Sequence, residues 1–343
     1  MKTKVKQPNP FPFSDSNKRY HTYDYYLRHK YGKKCVTVPL DGGFSCPNID
    51  GTISYGGCTF CSARGSGDFC APSRLTLAEQ FEVAKGLTAD KWGRDVGYIP
   101  YFQAFSATHG DFDHMRTQME TAAALPGAVA LHLATRPDCL PPKVVHYLAS
   151  LAARCDLVVE LGLQSIHDET LRTIRRGHTF ATFLEGYQAL RACGVDVCIH
   201  LINGLPGETK EMMLETSRVI ATLQPAFVKV HSLYILRGTE MAEQYQSGKI
   251  ALLTREEYVD ITCRQLEYLP SQTVIARVMG DAAADQLIAP LWCQKKFLVL
   301  NEIDKWFVSH DSMQGMQFHT TTPRTEIGGG ETIERTSFNA TDD

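Results

Sequence analysis

Long apolar runs are missing from this chain. No stretch of its 343 residues approaches the roughly 18 uninterrupted apolar positions that a membrane-spanning helix needs, and no membrane partner is expected. The opening MKTKVKQPNPFPFSDS has lysines but neither an apolar core nor a small-residue cleavage site, so it does not read as a secretory signal. No internal repeat appears beyond an alternation of strand-like and helix-like text. Regular cysteine spacing is absent too: the eleven cysteines are odd in number and scattered. Such a set suits a reducing, cytoplasmic compartment, with thiols free or bound to metal, more than a disulfide framework.

Hydrophobic residues make up 43% and charged residues 21%, as in ordinary globular proteins. The net charge of −3 hides an asymmetry. Residues 1–34 carry nine Lys or Arg against Asp15 and Asp24, so the remainder is acidic. Within 19–34, RYHTYDYYLRHKYGKK, five tyrosines alternate with basic residues. Lysine and arginine can neutralise phosphates while tyrosines stack on unpaired bases, the way single-stranded RNA is read. A solvated helix with its tyrosines packed on the protein body accounts for the same text, and both readings stand.

Candidate strands lie at 35–39, 97–104, 129–135, 157–164, 195–203 and 227–233, separated by helical patterns. Thr76 with Glu79 and Thr254 with Glu257 form capping-box signatures, and Thr209 is a candidate N-cap. Strands alternating with helices imply parallel pairing and right-handed crossovers. Six units predict an α/β fold, a partial (β/α)6 TIM-like barrel. One strand face is apolar: Val129, Leu131 and Leu133; Val159, Leu161 and Leu163; Val197, Ile199 and Leu201; Val228 and Val230. The other carries His132, Glu160, Gly162, Gln164, Asp196, His200, Lys229 and His231, with Gln103 and Tyr101 sharing a face of the second strand. Helices normally cover the outside of parallel strands, which leaves the polar set to line a lumen. The domains expected are a basic, tyrosine-rich N-terminal extension (1–34), the barrel (35–270), a C-terminal helical cap (271–310) and a disordered tail (311–343) rich in Thr and Gly.

The sharpest chemical signal is DGGFSCPNIDGTISYGGCTFCSARGSGDF. Cys58 and Cys61 form a C-x-x-C pair, and Cys46 precedes them across a loop whose glycines at 42, 43, 51, 56 and 57 let backbone wrap a metal centre. A zinc clip needs four ligands and would have to recruit Cys35 or Cys70. A thioredoxin-like pair is weaker, since no strand opens into a helix here. Three cysteines suit an iron–sulfur cluster with one iron left open.

Cys58-x-Phe60-Cys61 resembles the C-x-aromatic-C ending of the radical S-adenosylmethionine family. The long gap from Cys46 departs from the usual three-residue spacing and is similar to a branch that includes the elongator catalytic subunit and a bacterial group of YhcC/YtqA type. Further text supports the resemblance: HTYDYYLRHKYGKK at 21–34, TRPDCL at 135–140, VELGLQS at 159–165, RRGH at 175–178, INGLPGET at 202–209 and GDA at 280–282. The resemblance implies a [4Fe–4S] cluster ligated by Cys46, Cys58 and Cys61, with S-adenosylmethionine on the fourth iron. It implies reductive cleavage to a 5′-deoxyadenosyl radical, with an electron donor such as flavodoxin or ferredoxin. Phe60 is similar to the residue whose backbone approaches adenine. Gln164 and Arg176 look like ribose and carboxylate contacts, His200 stands where relatives carry an acidic ribose ligand, and the loop from Gly204 to Glu208 resembles one bordering adenine. Gln103 and Glu160 join the cofactor set through the inward face.

His132, Lys229 and His231 are candidates for substrate contact or proton transfer, although Lys229 could instead only balance Glu160. Arg277, Asp281 and Asp285 are read as packing a cap at the barrel mouth. The elongator branch implies tRNA as partner and modification of a wobble-uridine side chain. Without a following acetyltransferase domain, processing of an existing substituent such as a carboxymethylaminomethyl group is the natural form. The alternatives are a radical enzyme acting on a small metabolite and a non-catalytic protein clipped by zinc.

Overall fold

The computed structural model describes residues 9–93 and 95–319. Its elements run in the order α1 (Tyr23–Tyr31), β1 (Cys35–Leu40), α2 (Leu77–Trp92), β2 (Gly97–Phe102), α3 (Phe112–Ala123), β3 (Leu131–Thr135), α4 (Pro142–Ala152), β4 (Leu157–Gln164), α5 (Asp168–Thr173), α6 (Phe180–Ala192), β5 (Asp196–Asn203), α7 (Lys210–Thr222), β6 (Phe227–Ser232), β7 (Ile235–Leu236), α8 (Glu240–Gln246), α9 (Arg255–Tyr268), β8 (Val274–Arg277), β9 (Leu287–Ala289) and α10 (Lys296–Ser309). One sheet holds seven strands in the order β1-β2-β3-β4-β5-β6-β8, every neighbouring pair parallel. The result is the expected α/β partial barrel, extended by a seventh strand. β8 has four residues, too few to show a period. β7 and β9 form a separate antiparallel pair.

The strand faces divide as their sequence alternation dictates. Leu131, Leu133, Val159, Leu161, Leu163, Val197, Ile199, Leu201, Val228 and Val230 all join one buried core with the covering helices. Val129 is the exception: it precedes β3 and packs with Leu27, Cys35, Ile99 and Ala130. Helix starts follow their capping residues. Thr254 and Glu257 form a capping box at α9, and the Thr209 hydroxyl accepts from the Met212 amide at α7.

α1 closes the N-terminal end of the lumen. Tyr23 and Tyr26 pack on the inward residues Val158, Cys198, Phe227 and Val274, and Thr22 bridges to Ile275 of β8. At the other end of the chain the ordered course continues past 310. The Gln314 side chain donates to the carbonyls of Pro270 (2.6 Å) and Thr273 (2.8 Å) and accepts from the His21 amide (2.8 Å). Residues 312–318 are thereby fastened to α9 and to the N-terminal segment, and only 320–343 of the expected tail lies outside the described residues. No described helix is long and apolar enough to cross a membrane.

Candidate active site

The long connection after β1 carries the three cysteines. The Cys46 carbonyl accepts the amides of Ile49 (2.8 Å) and Asp50 (3.1 Å), and the Gly57 amide closes the loop on the Asn48 carbonyl (2.8 Å). Cys46, Cys58 and Cys61 all line a cavity of about 460 Å³ whose walls include the inward strand residues. Asn48 ties this loop to the turn after α5. Its side-chain amide donates to the carbonyls of Arg175 (2.8 Å) and Arg176 (3.1 Å) and lies 3.5 Å from Cys58 Sγ. Arg176 reaches back with Nη1 3.8 Å from Cys58 Sγ and Nη2 on the Gly162 carbonyl (2.9 Å). Glycine at position 162 leaves room for this seat, since a Cβ there would stand 2.4 Å from that Nη2 and displace the guanidinium.

Hydrogen bonding from Cys61 draws the Cys58 thiol well below its ordinary value; burial opposes this, and the Arg176 and Arg136 charges reinforce it. The same contact, with burial, pushes the Cys61 thiol up, so of the two thiols Cys58 is the readier to give up its proton. Arg136 is forked onto Asp138 at 2.9 and 2.6 Å. Burial and the Arg176 charge push His178 down to about 3. Around the thiolates, Asn48 Oδ1, Arg136 Nη1, Arg176 Nε and His178 Nε2 are buried without a partner. Native proteins rarely leave such atoms alone unless a ligand completes them.

The donor set fits an iron–sulfur cluster. Cys35 sits in the apolar cluster under α1, and Cys70 is buried with its thiol pushed up to about 12 by burial. Neither lines the cavity to complete a zinc tetrahedron. Among the described residues no three His, Cys, Asp or Glu side chains converge as ligands of a single ion.

Of the residues expected to hold the cofactor, Phe60, Gln103, Glu160, Gln164, Arg176 and His200 line the same cavity as the cysteines. Phe60 packs on an apolar cluster of Leu171, Ile174, Leu205, Leu233 and Met241. Gln103 donates to the Ser66 carbonyl (2.8 Å), and Gln164 adopts φ +77° at a bulge in β4. Gly204 does not line the cavity; its position has φ +86° and faces Leu253, while Ile202 and Leu233 form the nearby wall.

The floor is a polar network around Glu160, whose side chain is fully enclosed. Glu160 Oε1 accepts from His132 Nδ1 (2.7 Å), and Oε2 accepts from His200 Nε2 (2.8 Å) and from Lys229 Nζ. Burial would raise this carboxyl, but the Lys229 charge and the two imidazole donors override it and hold it well below the carboxylate range. Burial lowers His132 and His200, so both are neutral donors to Glu160. His132 Nε2 is then the acceptor for the Tyr23 hydroxyl (3.0 Å), which leaves both of its ring nitrogens engaged. His231, 5.5 Å from His200 between ring centroids, keeps a buried, unpartnered Nε2.

The N-terminal segment corrects one part of the RNA argument. Lys18 pairs with Asp304, Arg19 with Asp311, Arg28 and Lys34 with Asp24, and Lys30 with Asp156. Tyr23, Tyr26 and Tyr31 pack against the barrel. Tyr23, Tyr26 and Tyr31 thus plug the base of the barrel, and the charges of Lys18, Arg19, Arg28, Lys30 and Lys34 meet carboxylates, three of which come from elsewhere in the chain. Asn48 and Tyr23 are site residues that sequence reasoning missed; only the position of Asn48, two after Cys46, hinted at a role.

Comparison with known proteins agrees with this geometry. The family model described as the Radical SAM superfamily matches residues 55–220, and that described as the Radical_SAM C-terminal domain matches 225–308. The chain is 46% identical over 312 residues to the Bacillus subtilis protein YtqA, covering 91% of this chain and 97% of that one. A tRNA uridine(34) acetyltransferase of Methanocaldococcus infernus is 30% identical over 163 residues, which span 47% of this chain and 30% of that protein. The structure of the archaeal Methanocaldococcus infernus Elp3 with an N-terminal deletion shares the fold, with a TM-score of 0.59 at 19% identity over 82% of this chain and 64% of that one. From the cysteine loop to the C-terminal helix, the chain belongs to the radical S-adenosylmethionine superfamily.

Proposed function

We propose that this chain cleaves S-adenosylmethionine reductively at a [4Fe–4S] cluster and uses the radical to modify the side chain of a tRNA wobble uridine. The observation that carries the chemistry is one cavity shared by Cys46, Cys58, Cys61, the Arg176 cradle and the Glu160 floor. The three cysteines would hold the cluster, and Phe60, Gln103, Gln164, Arg176 and His200 would hold S-adenosylmethionine. When bound, this pair supplies a 5′-deoxyadenosyl radical that takes hydrogen from a substrate, with the electron coming from a donor such as flavodoxin or ferredoxin. The chain's own residues position and enclose. His132, engaged on both nitrogens, orients Glu160; Lys229 balances its charge; and His231 has a nitrogen free to exchange a hydrogen bond or proton with substrate.

The tRNA assignment rests on the likeness to the uridine(34) acetyltransferase. That likeness spans 30% of the relative, so acetyl transfer is not inferred and processing of an existing uridine substituent is. A small metabolite is the second reading, favoured by the carboxylate partners that most of the basic segment's charges already have.

Anaerobic iron, sulfide and zinc analysis, followed by dithionite reduction with S-adenosylmethionine, tests the chemistry. About four irons and four sulfides per chain with 5′-deoxyadenosine released are expected; one zinc without sulfide overturns the reading. Binding of tRNA that weakens steeply with salt, together with a changed wobble nucleoside by mass spectrometry, supports tRNA. Deoxyadenosine formation that no tRNA stimulates favours the metabolite.

A further inference from the structure

The β6–β8 side of the cavity holds groups that cofactor binding leaves unused. β6 supplies His231 and β8 supplies Arg277, both lining the space. Arg277 faces Asp281 at 3.4 Å, its one carboxylate partner among the described residues. Asp281 is already held through both oxygens by Lys296 (2.9 and 2.8 Å), which leaves the Arg277 fork largely open. Beside it His231 Nε2 is buried without a partner. Gly280 of the GDA motif lets the chain close over this ring, for a Cβ there would stand 3.1 Å from His231 Nδ1 and 3.0 Å from Tyr234 Cε1. The other charged groups nearby, Lys229 and Glu160, satisfy each other. Glu160 is taken by Lys229, Asp281 by Lys296 from outside the cavity, and Asp68, on the same cavity, accepts from Ser62, so Arg277 is the cation left to share a carboxylate that another lysine already holds. Burial, His200, Arg277 and Lys229 hold His231 well below the ordinary imidazole value, so it meets a ligand as a neutral ring.

We infer that Arg277 and His231 form a subsite for a carboxylate on the substrate, the guanidinium taking both oxygens and His231 donating from Nε2. A planar fork with parallel N–H groups matches a carboxylate in this way. The GDA turn is then a positioning device: Asp281 steadies Arg277 from one side, and Gly280 seats the histidine. The inference rests on the uridine reading only for what bears the carboxylate, since the subsite itself follows from the unmatched groups.

The probe is fluoroacetate, followed by fluorine NMR line broadening on the cluster-loaded protein, with S-adenosylmethionine present so that Arg176 is engaged. Broadening is expected in the wild type, about tenfold weaker binding in Arg277→Gln, partial recovery in Arg277→Lys and a smaller loss in His231→Ala. Iron content and thermal melting of each variant establish that it is folded. Equal broadening in wild type and Arg277→Gln, or displacement by inorganic phosphate more readily than by acetate, overturns the carboxylate subsite. Fluoroacetate binding through Arg277 with no response to 5-carboxymethylaminomethyluridine or to tRNA leaves the subsite standing and overturns the uridine reading instead.

Discussion

Glu160, its own side chain fully enclosed, accepts hydrogen bonds from three basic side chains, and its removal isolates Lys229. Glu160→Gln is expected to cost about 3–5 kcal/mol in urea unfolding, the range for a buried charge stripped of its partner. Adding Lys229→Met should restore much of that loss, and a double-mutant cycle would read the coupling. Acid acts on the same group. Its folded value lies well below the ordinary 4.5, so its stabilisation is present above that pH and is lost as pH falls through the lowered value. His132, His200 and His231 are also lowered from 6.5, and the unfolded chain takes protons that the folded rings refuse. Stability should therefore decline on acidification from about pH 6.5, and His231→Gln should flatten the first part of that slope. Glu160, Gln164 and His200 were legible because strand residues two apart share a face. Asn48 was not, since its bonds run to residues 175–176 and no local pattern records them.

At the level of elements, strands announced themselves wherever their outward face was apolar over two or three alternate positions, as in β4 and β5. β8 escaped notice because four residues cannot carry a period, and Arg277 was read as cap packing. The tyrosine-rich helix shows the opposite failure. Its composition is the same whether its lysines meet phosphates or carboxylates, and Asp156, Asp304 and Asp311 lie far away in sequence. Leu27, 4% exposed beneath Cys35 and Ile99, tests the plug: Leu27→Ala should lower stability by about 2–5 kcal/mol. Tyr23→Phe should remove about 1 kcal/mol by taking the donor from His132. A null result for both in thermal melting would leave α1 as a loosely attached arm.

Across the whole molecule, the cavity exists because one loop brings three cysteines over a lumen built from seven strands. Gly162→Ala probes that union, since the added methyl drives Arg176 off its seat. S-adenosylmethionine affinity by calorimetry should fall about tenfold or more while iron content holds; unchanged affinity would remove Arg176 from the cofactor site. The fold class and the cysteines were readable because barrel alternation and a C-x-x-C loop are local signals. The chemistry of the far wall was not, because it depends on β6 and β8 pairing across β7, α8 and α9.

Gln314 joins the carbonyl of Arg19, the amide of His21 and the turn before β8 in one knot. This has a consequence for biosynthesis. A ribosome delivers α1 first and its last fastening nearly three hundred residues later, so the nascent barrel must wait with its base unplugged. Such distant closure makes folding slow and late, and a chain halted before Gln314 is expected to be cleared as an unfinished body rather than to persist as a working one.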